Sequence, residues 1–340
     1  MRTLLLALFI CALGDSVHAA SVATYLNKSD DWFRTAEAAE VTRNILSWQT
    51  PEGSWPKNTD TTAAHKNEPL KGTFDNGATT DELRYLARAF STTNDPKLKE
   101  SFLKGLDHIL AAQYPNGGWP QFHPPGDGYH RHITFNDQTM VRLLQFVRDV
   151  STRTEFRFVD EARRESCATA FDRGVQCILA AQIRANGVLT AWCAQHDERT
   201  LEPRPARKFE LASLSGAESV GILELLMSIQ QPSAKIIDAV DAGVNWFEAV
   251  KLTGIRETKI DGDKRIINDP NAPPLWARFY EIGTNRPIFA GRDGVKRYSI
   301  SEIEPERRNG YAWYGKWAQN LPAKHKAWKQ RLTQSTPAPK

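Results

Sequence analysis

Apolar residues recur at helical spacing along the chain, and the segments that carry them come in pairs. Val41, Ile45 and Trp48 form one stripe, and Leu83 and Leu86 belong to the stripe that follows it. Residues three and four positions apart share one face of an α-helix, so each stripe predicts an amphipathic helix. Further stripes of this kind contain Phe102, Ile109 and Ala112, then Met140, Leu143, Leu144 and Val147, then Ile222, Leu225 and Leu226. The pattern predicts a helix-rich fold.

A repeated motif follows the first helix of each pair. QTPEGSWP at 49–56 returns as QYPNGGWP at 113–120, and a degenerate copy begins at Gln182 and contains Trp192. Each copy is followed by a loop and then by the second helix, so one unit is helix, loop, helix. Three such hairpins of similar length predict a ring of three helix pairs, with the loops gathered at one end, where they can build a site.

The second helices begin at recognisable capping boxes, and strands are predicted to be minor. Thr79 and Glu82 form one box and Ser215 and Glu218 another, because a hydroxyl and a glutamate three residues apart can satisfy each other's backbone N–H groups. Near the C-terminus, alternating residues around Asp261-Gly262-Asp263 predict a hairpin within 259–267. Two short strands are predicted within 288–299, around the turn 291–294.

The two tryptophans of the repeated motif admit two interpretations. Trp55 and Trp119 can plug the ends of the helix pairs, with proline and glycine setting the turns. Alternatively, their indole rings can stack against sugars, which is attractive in a chain with 10 tryptophans.

Composition and charge place the chain among ordinary globular proteins. Of its 340 residues, 41% are hydrophobic and 25% are charged, and 44 basic against 40 acidic residues leave a net charge of +4. The basic residues are scattered, which gives no support to nucleic-acid binding, and the one sustained apolar run lies at the extreme N-terminus. We expect no nucleic-acid or membrane partner and a monomeric protein.

The N-terminus has the features of an export signal. Arg2 supplies the positive charge, 4–13 the apolar run, and Val17-His18-Ala19 a cleavage site of small residues. This predicts a signal peptide at 1–19, a folded domain at 20–332, a disordered tail at 333–340, and a secreted or periplasmic location. After cleavage three cysteines remain, Cys167, Cys177 and Cys193. An odd number does not form a disulfide framework, so we favour buried thiols, with one bond to Cys193 left open.

Side chains rich in oxygen and in positive charge are the candidates for chemistry. The loops before two of the second helices carry Asp75, Asn76, Asn136 and Asp137, which the repeat would bring side by side. Such hard oxygen ligands suit Ca²⁺, although each pair can equally be a helix cap.

Two C-terminal arginines stand in unusual surroundings. Arg278 lies beside aromatic residues and Arg292 in a glycine-flanked turn, where a guanidinium fork could bind a carboxylate. Arg307 and Arg308, in contrast, lie in a charged run that predicts a solvated face. Nucleotide-binding, zinc-helix and serine-hydrolase fingerprints do not occur in the sequence.

Seven collinear strings resemble polysaccharide lyase family 10, the helical pectate lyases. They are GSWPKNTD at 53–60, TFDNGATTDELRYL at 73–86, YPNGGWPQF at 114–122, HITFNDQTM at 132–140, LTAWCAQHD at 189–197, LSGAESVGILELLM at 214–227 and the long string at 278–315. The resemblance spans about 29–318 and implies an (α/α)3 toroid-like fold. It also implies Ca²⁺-dependent cleavage of polygalacturonate by anti β-elimination, which gives 4,5-unsaturated oligogalacturonides.

The resemblance also assigns roles to individual residues. Asp75, Asn76 and Asp137 correspond to the calcium ligands, Arg207 to the arginine that acts as the Brønsted base, and Arg278 and Arg292 to the arginines that bind substrate carboxylates. This chain has Lys208 where the family usually has a small residue, and Arg204 nearby is a second candidate for the base.

Removal of the C5 proton of a galacturonate is difficult because the adjacent carboxylate resists further negative charge, so cations must stabilise the transition state. Burial among cations would lower the pKa of an arginine base, and alkaline conditions would raise its neutral fraction. Two other functions are open at this point. A glycoside hydrolase would use Asp75 and Asp137 as its pair of acids, and a non-catalytic binding module would keep the aromatic and basic surface.

Overall fold

The computed structural model describes residues 22–66 and 68–335, so the predicted signal peptide lies outside the described residues. Within this part the chain is mainly helical, as the apolar periodicity predicts. The α-helices are α1 (Ala36–Ser47), α2 (Thr80–Thr93), α3 (Pro96–Ala111), α4 (Thr139–Thr152), α5 (Glu161–Ala181), α6 (Glu218–Met227), α7 (Ala234–Ala249), α8 (Pro305–Asn309) and α9 (Leu321–Ser335).

The helices pack in two neighbouring rows. Helix α2 packs on α3, α4 on α5, and α6 on α7, so the tightest pairs join the end of one repeat to the start of the next. Helix α4 contacts both α2 and α6, and α5 contacts both α3 and α7. The apolar stripes of both rows meet in one large core that includes Leu86, Phe102, Leu144 and Ile222.

The same geometry closes the turn after the first helix of each repeat. The indole N–H of Trp55 donates to Ile45 O at 2.7 Å, and those of Trp119 and Trp192 make the corresponding bonds to Ile109 O at 2.9 Å and Ile178 O at 2.7 Å. All three tryptophans are fully buried. The structural interpretation is therefore confirmed, and sugar stacking by Trp55 or Trp119 is wrong, because no ring face is open to a ligand.

A glutamine repeats with the tryptophan and ties neighbouring units together. The side-chain amide of Gln49 donates to Gly53 O at 3.1 Å in its own turn and to Ser101 O at 2.9 Å in α3. Gln113 bridges its turn to α5 in the same way, and Gln182 bridges its turn to α7. In each unit one side-chain amide donates to two backbone carbonyls, and this holds in the third unit as well, which lacks the proline of the motif.

The strands are short and antiparallel. The predicted hairpin is confirmed, with a longer first strand than expected, and so are the two short strands around 291–294. The strands are β1 (Ile133–Thr134), β2 (Arg184–Ala185), β3 (Val188–Leu189), β4 (Gln195–His196), β5 (Pro203–Arg204), β6 (Leu214–Ser215), β7 (Ile255–Ile260), β8 (Asp263–Asn268), β9 (Trp276–Ala277), β10 (Phe279–Tyr280), β11 (Phe289–Ala290), β12 (Lys296–Arg297) and β13 (Tyr314–Gly315).

Several strand pairings connect segments that are distant in the sequence. Strand β4 pairs with both β1 and β5, β6 with β10, and β9 with β13. The remaining pairs, β2 with β3, β7 with β8 and β11 with β12, are local hairpins. A second, smaller apolar cluster lies under the C-terminal strands and includes Phe209, Phe279, Phe289 and Trp313.

Two expectations about the C-terminal part of the chain are wrong. Arg307 and Arg308 are buried rather than solvated, and Arg308 makes a two-bond contact with the Asp263 carboxylate, at 2.7 Å for each bond. A run of charged residues is solvated only when no other segment packs against it. Here the β7–β8 hairpin packs against Arg308 and supplies the carboxylate that pairs with it. The predicted tail is also partly helical, because α9 continues to Ser335, while residues 336–340 lie outside the described residues.

The described cysteines and helices settle two further points. Cys167, Cys177 and Cys193 are all buried free thiols, as favoured from the sequence. Burial raises the pKa of Cys167 and of Cys177 to about 12, which keeps both thiols protonated and unreactive at neutral pH. None of the helices in residues 22–66 and 68–335 has the length and apolar character that crossing a membrane requires.

Candidate active site

Two equivalent turns meet at the loop end of the helices. Asp75–Gly77 forms a single 3-10 turn before α2, and Asn136–Gln138 forms the equivalent turn before α4. The two turns pack against each other, so the repeat brings the oxygen-rich loops side by side as predicted. Asn76 and Asp137 adopt left-handed backbone conformations, with φ of 55° and 51°. Asn and Asp tolerate that region better than other residues with a Cβ, which explains why they occupy these positions.

Asp75 is a buried carboxylate with one unsatisfied oxygen. Its exposed fraction is 1%. The Lys57 ammonium forms an ion pair with Oδ2, and the Gln121 side-chain amide donates to the same oxygen at 2.6 Å. Oδ1 is buried and has no hydrogen-bond partner. A buried carboxylate oxygen without a partner costs free energy unless a ligand satisfies it.

Asp137 lies beside this carboxylate and is more open to solvent. Its side chain is 37% exposed, and its Oδ1 lies 3.6 Å from Nη2 of Arg278. Asn136 donates to its Oδ2 at 2.7 Å. Burial and the neighbouring carboxylates of Asp75 and Glu218 raise the pKa of Asp137 above its ordinary value. Acids that repel one another in this way are characteristic of a place where a cation binds.

The third predicted ligand, Asn76, has a different environment. Its side chain is exposed, and its amide donates to Oδ1 of Asn58 at 3.3 Å. The structure therefore brings Asp75 and Asp137 together, whereas the side chain of Asn76 is hydrogen-bonded to the loop that follows Trp55.

Glu218 is a member of this acidic cluster that the sequence reasoning missed. It is the first residue of α6 and is buried. One carboxylate oxygen forms an ion pair with Arg278, and the other accepts the Ser215 hydroxyl. The sequence did mark Glu218, but only as half of a capping box. Its additional role as a partner of Arg278 could have been inferred from its position, because Glu218 begins the second helix of its repeat, where the Asp75 and Asp137 turns also lie in theirs.

Arg278 is held between acids and an aromatic ring. Its side chain is 12% exposed, and its guanidinium lies 5.0 Å from the ring centre of Tyr311. Burial alone would lower the pKa of Arg278, but the charges of Glu218 and Asp137 raise it above the ordinary arginine value. Its Nε is buried without a partner. The guanidinium is thus permanently charged.

Arg207 is fixed by Glu210, a second acid that the sequence reasoning missed. Its Nε and Nη2 donate to the two oxygens of Glu210 at 2.8 and 2.6 Å, and the Tyr311 hydroxyl donates to Oε1 at 2.7 Å. The guanidinium lies 4.8 Å from the ring centre of Phe209. Hydrogen bonds to Glu210 raise the pKa of Arg207. The expectation that neighbouring cations lower this pKa is therefore wrong, because the group in contact is a carboxylate.

The two other arginines considered for the site lie further out. Arg204 pairs with Asp197, with its Nε 3.0 Å from Oδ2, and has no contact with the acidic cluster among the described residues. Arg292 is 63% exposed at its side chain and pairs with Glu306 at 2.9 Å. The turn that carries Arg292 also contains Gly294, which lies close to the backbone of Lys208. A Cβ placed on Gly294 would be 3.3 Å from Lys208 O. Arg292 thus stands on a turn beside the Arg207 segment.

A different set of potential metal ligands lies on the β4–β5 side of the molecule. One ligand atom each from His132, Asp197 and Glu198 falls within 4.8 Å of the others. However, Glu198 pairs with Arg131 at 2.7 Å and Asp197 pairs with Arg204 at 2.9 Å. Neither carboxylate of this cluster has a buried oxygen without a partner, as Oδ1 of Asp75 does, so this cluster is a weaker cation site than Asp75 and Asp137.

The Asp75 and Asp137 cluster fits a hard divalent cation. Its donors are carboxylate and amide oxygens, which are the ligands that Ca²⁺ prefers. A bound cation would satisfy the unpaired, buried Oδ1 of Asp75 and would reduce the repulsion that raises the pKa of Asp137. The guanidinium groups of Arg278 and Arg207 both lie near the ring of Tyr311, and that of Arg278 also lies near Asp137.

Comparisons with known proteins agree with one another. The sequence model of the family described as pectic acid lyase matches residues 49–321. A solved structure of a family 10 polysaccharide lyase from Cellvibrio cellulosa is 34% identical, with a TM-score of 0.80 over 92% of this chain and 98% of that chain. An alanine mutant of a family 10 polysaccharide lyase from the same organism, in complex with trigalacturonic acid, is 35% identical, with a TM-score of 0.79 over 90% and 96%. A search of curated proteins gave no match.

Proposed function

The chain belongs to the pectic acid lyase family and is a pectate lyase, and we propose that it cleaves polygalacturonate by anti β-elimination at the Asp75 and Asp137 cluster. The observation that carries the site assignment is the buried, unpaired Oδ1 of Asp75 beside a second carboxylate. The similar lyase in complex with trigalacturonic acid supports an oligogalacturonate substrate. The similarity to lyases favours neither the glycoside hydrolase nor the non-catalytic binding module.

Asp75, Asn76 and Asp137 are the proposed ligands of Ca²⁺. Asp75 and Asp137 supply negative oxygens, and Asn76 can supply its side-chain oxygen once its amide leaves Asn58. When bound, Ca²⁺ would neutralise a substrate carboxylate and so make the neighbouring C5 proton easier to remove. Glu218 and Glu210 keep the two arginines of the site in fixed orientations.

Arg207 is the proposed base. Its Nε and Nη2 are engaged by Glu210, which leaves Nη1 to accept the C5 proton when the guanidine is neutral. The electron pair of the C5–H bond then forms the double bond to C4, and the C4–O bond breaks. The leaving oxygen takes a proton from water, and the hydroxide that remains returns Arg207 to its neutral form. Glu210 stabilises the guanidinium produced by the transfer, and so strengthens the base.

Arg278 and Arg292 are the proposed ligands of substrate carboxylates. Arg278 is charged and lies beside Asp137, which suits a carboxylate close to the reacting sugar. Arg292 is exposed on its turn and can exchange Glu306 for a carboxylate further along the polymer. A guanidinium presents two parallel donors to a carboxylate, which a lysine cannot do.

Substitution of Arg292 tests this role without disturbing the core. Arg292→Lys is expected to lower kcat/KM on polygalacturonate by about ten- to a hundredfold, because the two-bond contact is lost. Arg278→Lys is expected to have a similar effect. Lysine is preferred to alanine at Arg278 because alanine would leave Glu218 buried and unpaired. The measurement is steady-state kinetics on polygalacturonate and on highly methyl-esterified pectin, with thermal melting in parallel.

Glu306→Gln is the matched control, since it frees Arg292 without removing it. That variant should keep at least the activity of the parent protein. If the arginine variants instead lose activity equally on both substrates, in proportion to a lower melting temperature, these arginines hold the fold and do not bind the polymer.

The function itself is tested by a single assay. The unsaturated product of an elimination absorbs in the ultraviolet, whereas hydrolysis products do not. We expect absorbance to rise when the protein is mixed with polygalacturonate, to stop rising when a chelator is added, and to resume when Ca²⁺ is restored in excess. New reducing ends without ultraviolet absorbance would indicate a hydrolase, and binding without cleavage would indicate a non-catalytic module.

Three further features are proposed along with this function. The contacts of α4 with α2 and α6 support an (α/α)3 toroid-like arrangement of the helix pairs, which an experimental structure would test. The charged, apolar and small-residue regions of the segment 1–19 support secretion or periplasmic export. A monomer is expected, and light scattering of the purified protein would measure its mass.

A further inference from the structure

Two equivalent positions of the repeated motif converge on one carboxylate oxygen. Lys57 follows the Trp-Pro pair of the first repeat, and Gln121 follows the Trp-Pro pair of the second. Both side chains reach Oδ2 of Asp75, Lys57 as an ion pair and Gln121 as a hydrogen-bond donor at 2.6 Å. Since the neutral glutamine already orients the carboxylate, the lysine adds charge at this position.

The surroundings of Asp75 explain why this charge matters. Asp75 is 1% exposed, so its negative charge is not compensated by water. Arg278 pairs with Glu218 and approaches Asp137 instead. Among the residues that the structure describes, Lys57 is the cation within ion-pair distance of Asp75.

The side chain of Lys57 is also able to move away from Asp75. Its side chain is 35% exposed, so its ammonium can move into water at the end of a flexible stem. A divalent cation on Asp75 and an ammonium on the same carboxylate would repel each other at short range. The two cations therefore compete for Asp75.

We propose that Lys57 is a tethered counter-cation, which occupies Asp75 in the metal-free protein and is displaced when Ca²⁺ binds. The inference rests on the proposed function, because it takes Asp75 to be a ligand of the cation. Two consequences follow. Lys57 weakens the affinity for Ca²⁺, and it stabilises the metal-free fold by neutralising a buried carboxylate.

The test compares Ca²⁺ binding by chelator-treated protein in isothermal titration calorimetry with CaCl₂. Lys57→Gln keeps a hydrogen-bond donor for Asp75 without the charge, and is expected to bind Ca²⁺ about tenfold more tightly than the parent. Lys71→Gln is the matched control. Lys71 lies nearby, with its ammonium 4.6 Å from the ring centre of Phe122, and its loss should change the dissociation constant less than about twofold.

Thermal melting supplies a second readout that does not depend on activity. In excess chelator, Lys57→Gln should melt at a lower temperature than the parent protein, and saturating CaCl₂ should close that gap. Lys57→Met, which removes both the charge and the donor, should show the same pattern with a larger gap. An equal or weaker affinity for Ca²⁺ in both Lys57 variants would overturn the inference.

A further variant separates this inference from the proposed function. If the parent protein binds Ca²⁺, Asp75→Asn abolishes binding and the Lys57 variants bind like the parent, only the role of Lys57 is rejected. If Asp75→Asn binds Ca²⁺ as well as the parent does, the site assignment is rejected and the inference is rejected with it.

Discussion

Arg207→Lys should lower kcat on polygalacturonate by about a thousandfold or more, with little change in KM. The reason is that proton transfer from C5 is realised only in the transition state, so its loss does not affect substrate binding. Lysine cannot reproduce the two-bond contact that fixes Arg207 on Glu210, and its ammonium cannot reach the position of Nη1. The measurement is the initial rate of ultraviolet absorbance over a range of substrate concentrations.

The pH dependence of the parent protein should follow from the same contact. Because hydrogen bonds to Glu210 raise the pKa of Arg207, the neutral fraction of the base is small at neutral pH and increases about tenfold for each pH unit. The rate should therefore keep rising into the alkaline range, until the protein itself loses stability.

Arg204→Lys is the control for Arg207→Lys. Arg204 pairs with an aspartate outside the acidic cluster, so this change should leave kcat within about twofold of the parent value. Both variants retain a cation beside their carboxylate partner, so the melting temperature should change little. If Arg204→Lys is the inactive variant and Arg207→Lys retains full activity, the base has been assigned three residues too far along the chain.

Asp137→Ala should abolish lyase activity while the helical circular dichroism remains intact. Removal of this carboxylate takes away one of the two charged ligands proposed for Ca²⁺ and leaves Asp75 as the other. Alanine is also less suited to the left-handed backbone at this position, where φ is 51°. Asp137→Asn should therefore be made in parallel, since asparagine keeps the shape and tolerates that conformation.

Both Asp137 variants should bind Ca²⁺ at least about a hundredfold more weakly than the parent protein, because one negative ligand is lost. Asp127→Asn is the control, as Asp127 is an exposed acid on the loop before the turn of Asp137. It should retain full activity. Chelator-sensitive turnover at the parental rate in Asp137→Asn would rule out Asp137 as a ligand.

The local elements were predictable from the sequence because their causes are local. Apolar spacing located the helices, and the repeated QxPxG[SG]WP motif located the turns that Trp55 and Trp119 close. Asp-Gly marked the tip of the β7–β8 hairpin, where both residues need positive φ. The same repeat also predicted that the turns of Asp75 and Asp137 lie side by side, since equivalent loops of stacked hairpins must emerge at the same end.

The charge pairing at the site was not predictable, because it joins residues far apart in the chain. Glu218 and Arg278 are separated by 60 residues, and Tyr311 reaches Glu210 across 101 residues. Glu218 has an ordinary local explanation, because it forms a capping box with Ser215. Nothing in the local sequence distinguishes a cap from the partner of a buried arginine.

The sequence by itself determined where the helices and turns form, which oxygen-rich loops become neighbours, and which family the chain resembles. The tertiary structure alone decided which charges meet: Lys57 and Gln121 on Asp75, Glu218 on Arg278, and Glu210 on Arg207. Helix and turn formation depends on interactions within a few residues, so it is encoded in short patterns. The partner of a buried charge depends on three-dimensional distance and desolvation, which are set only when distant segments pack together.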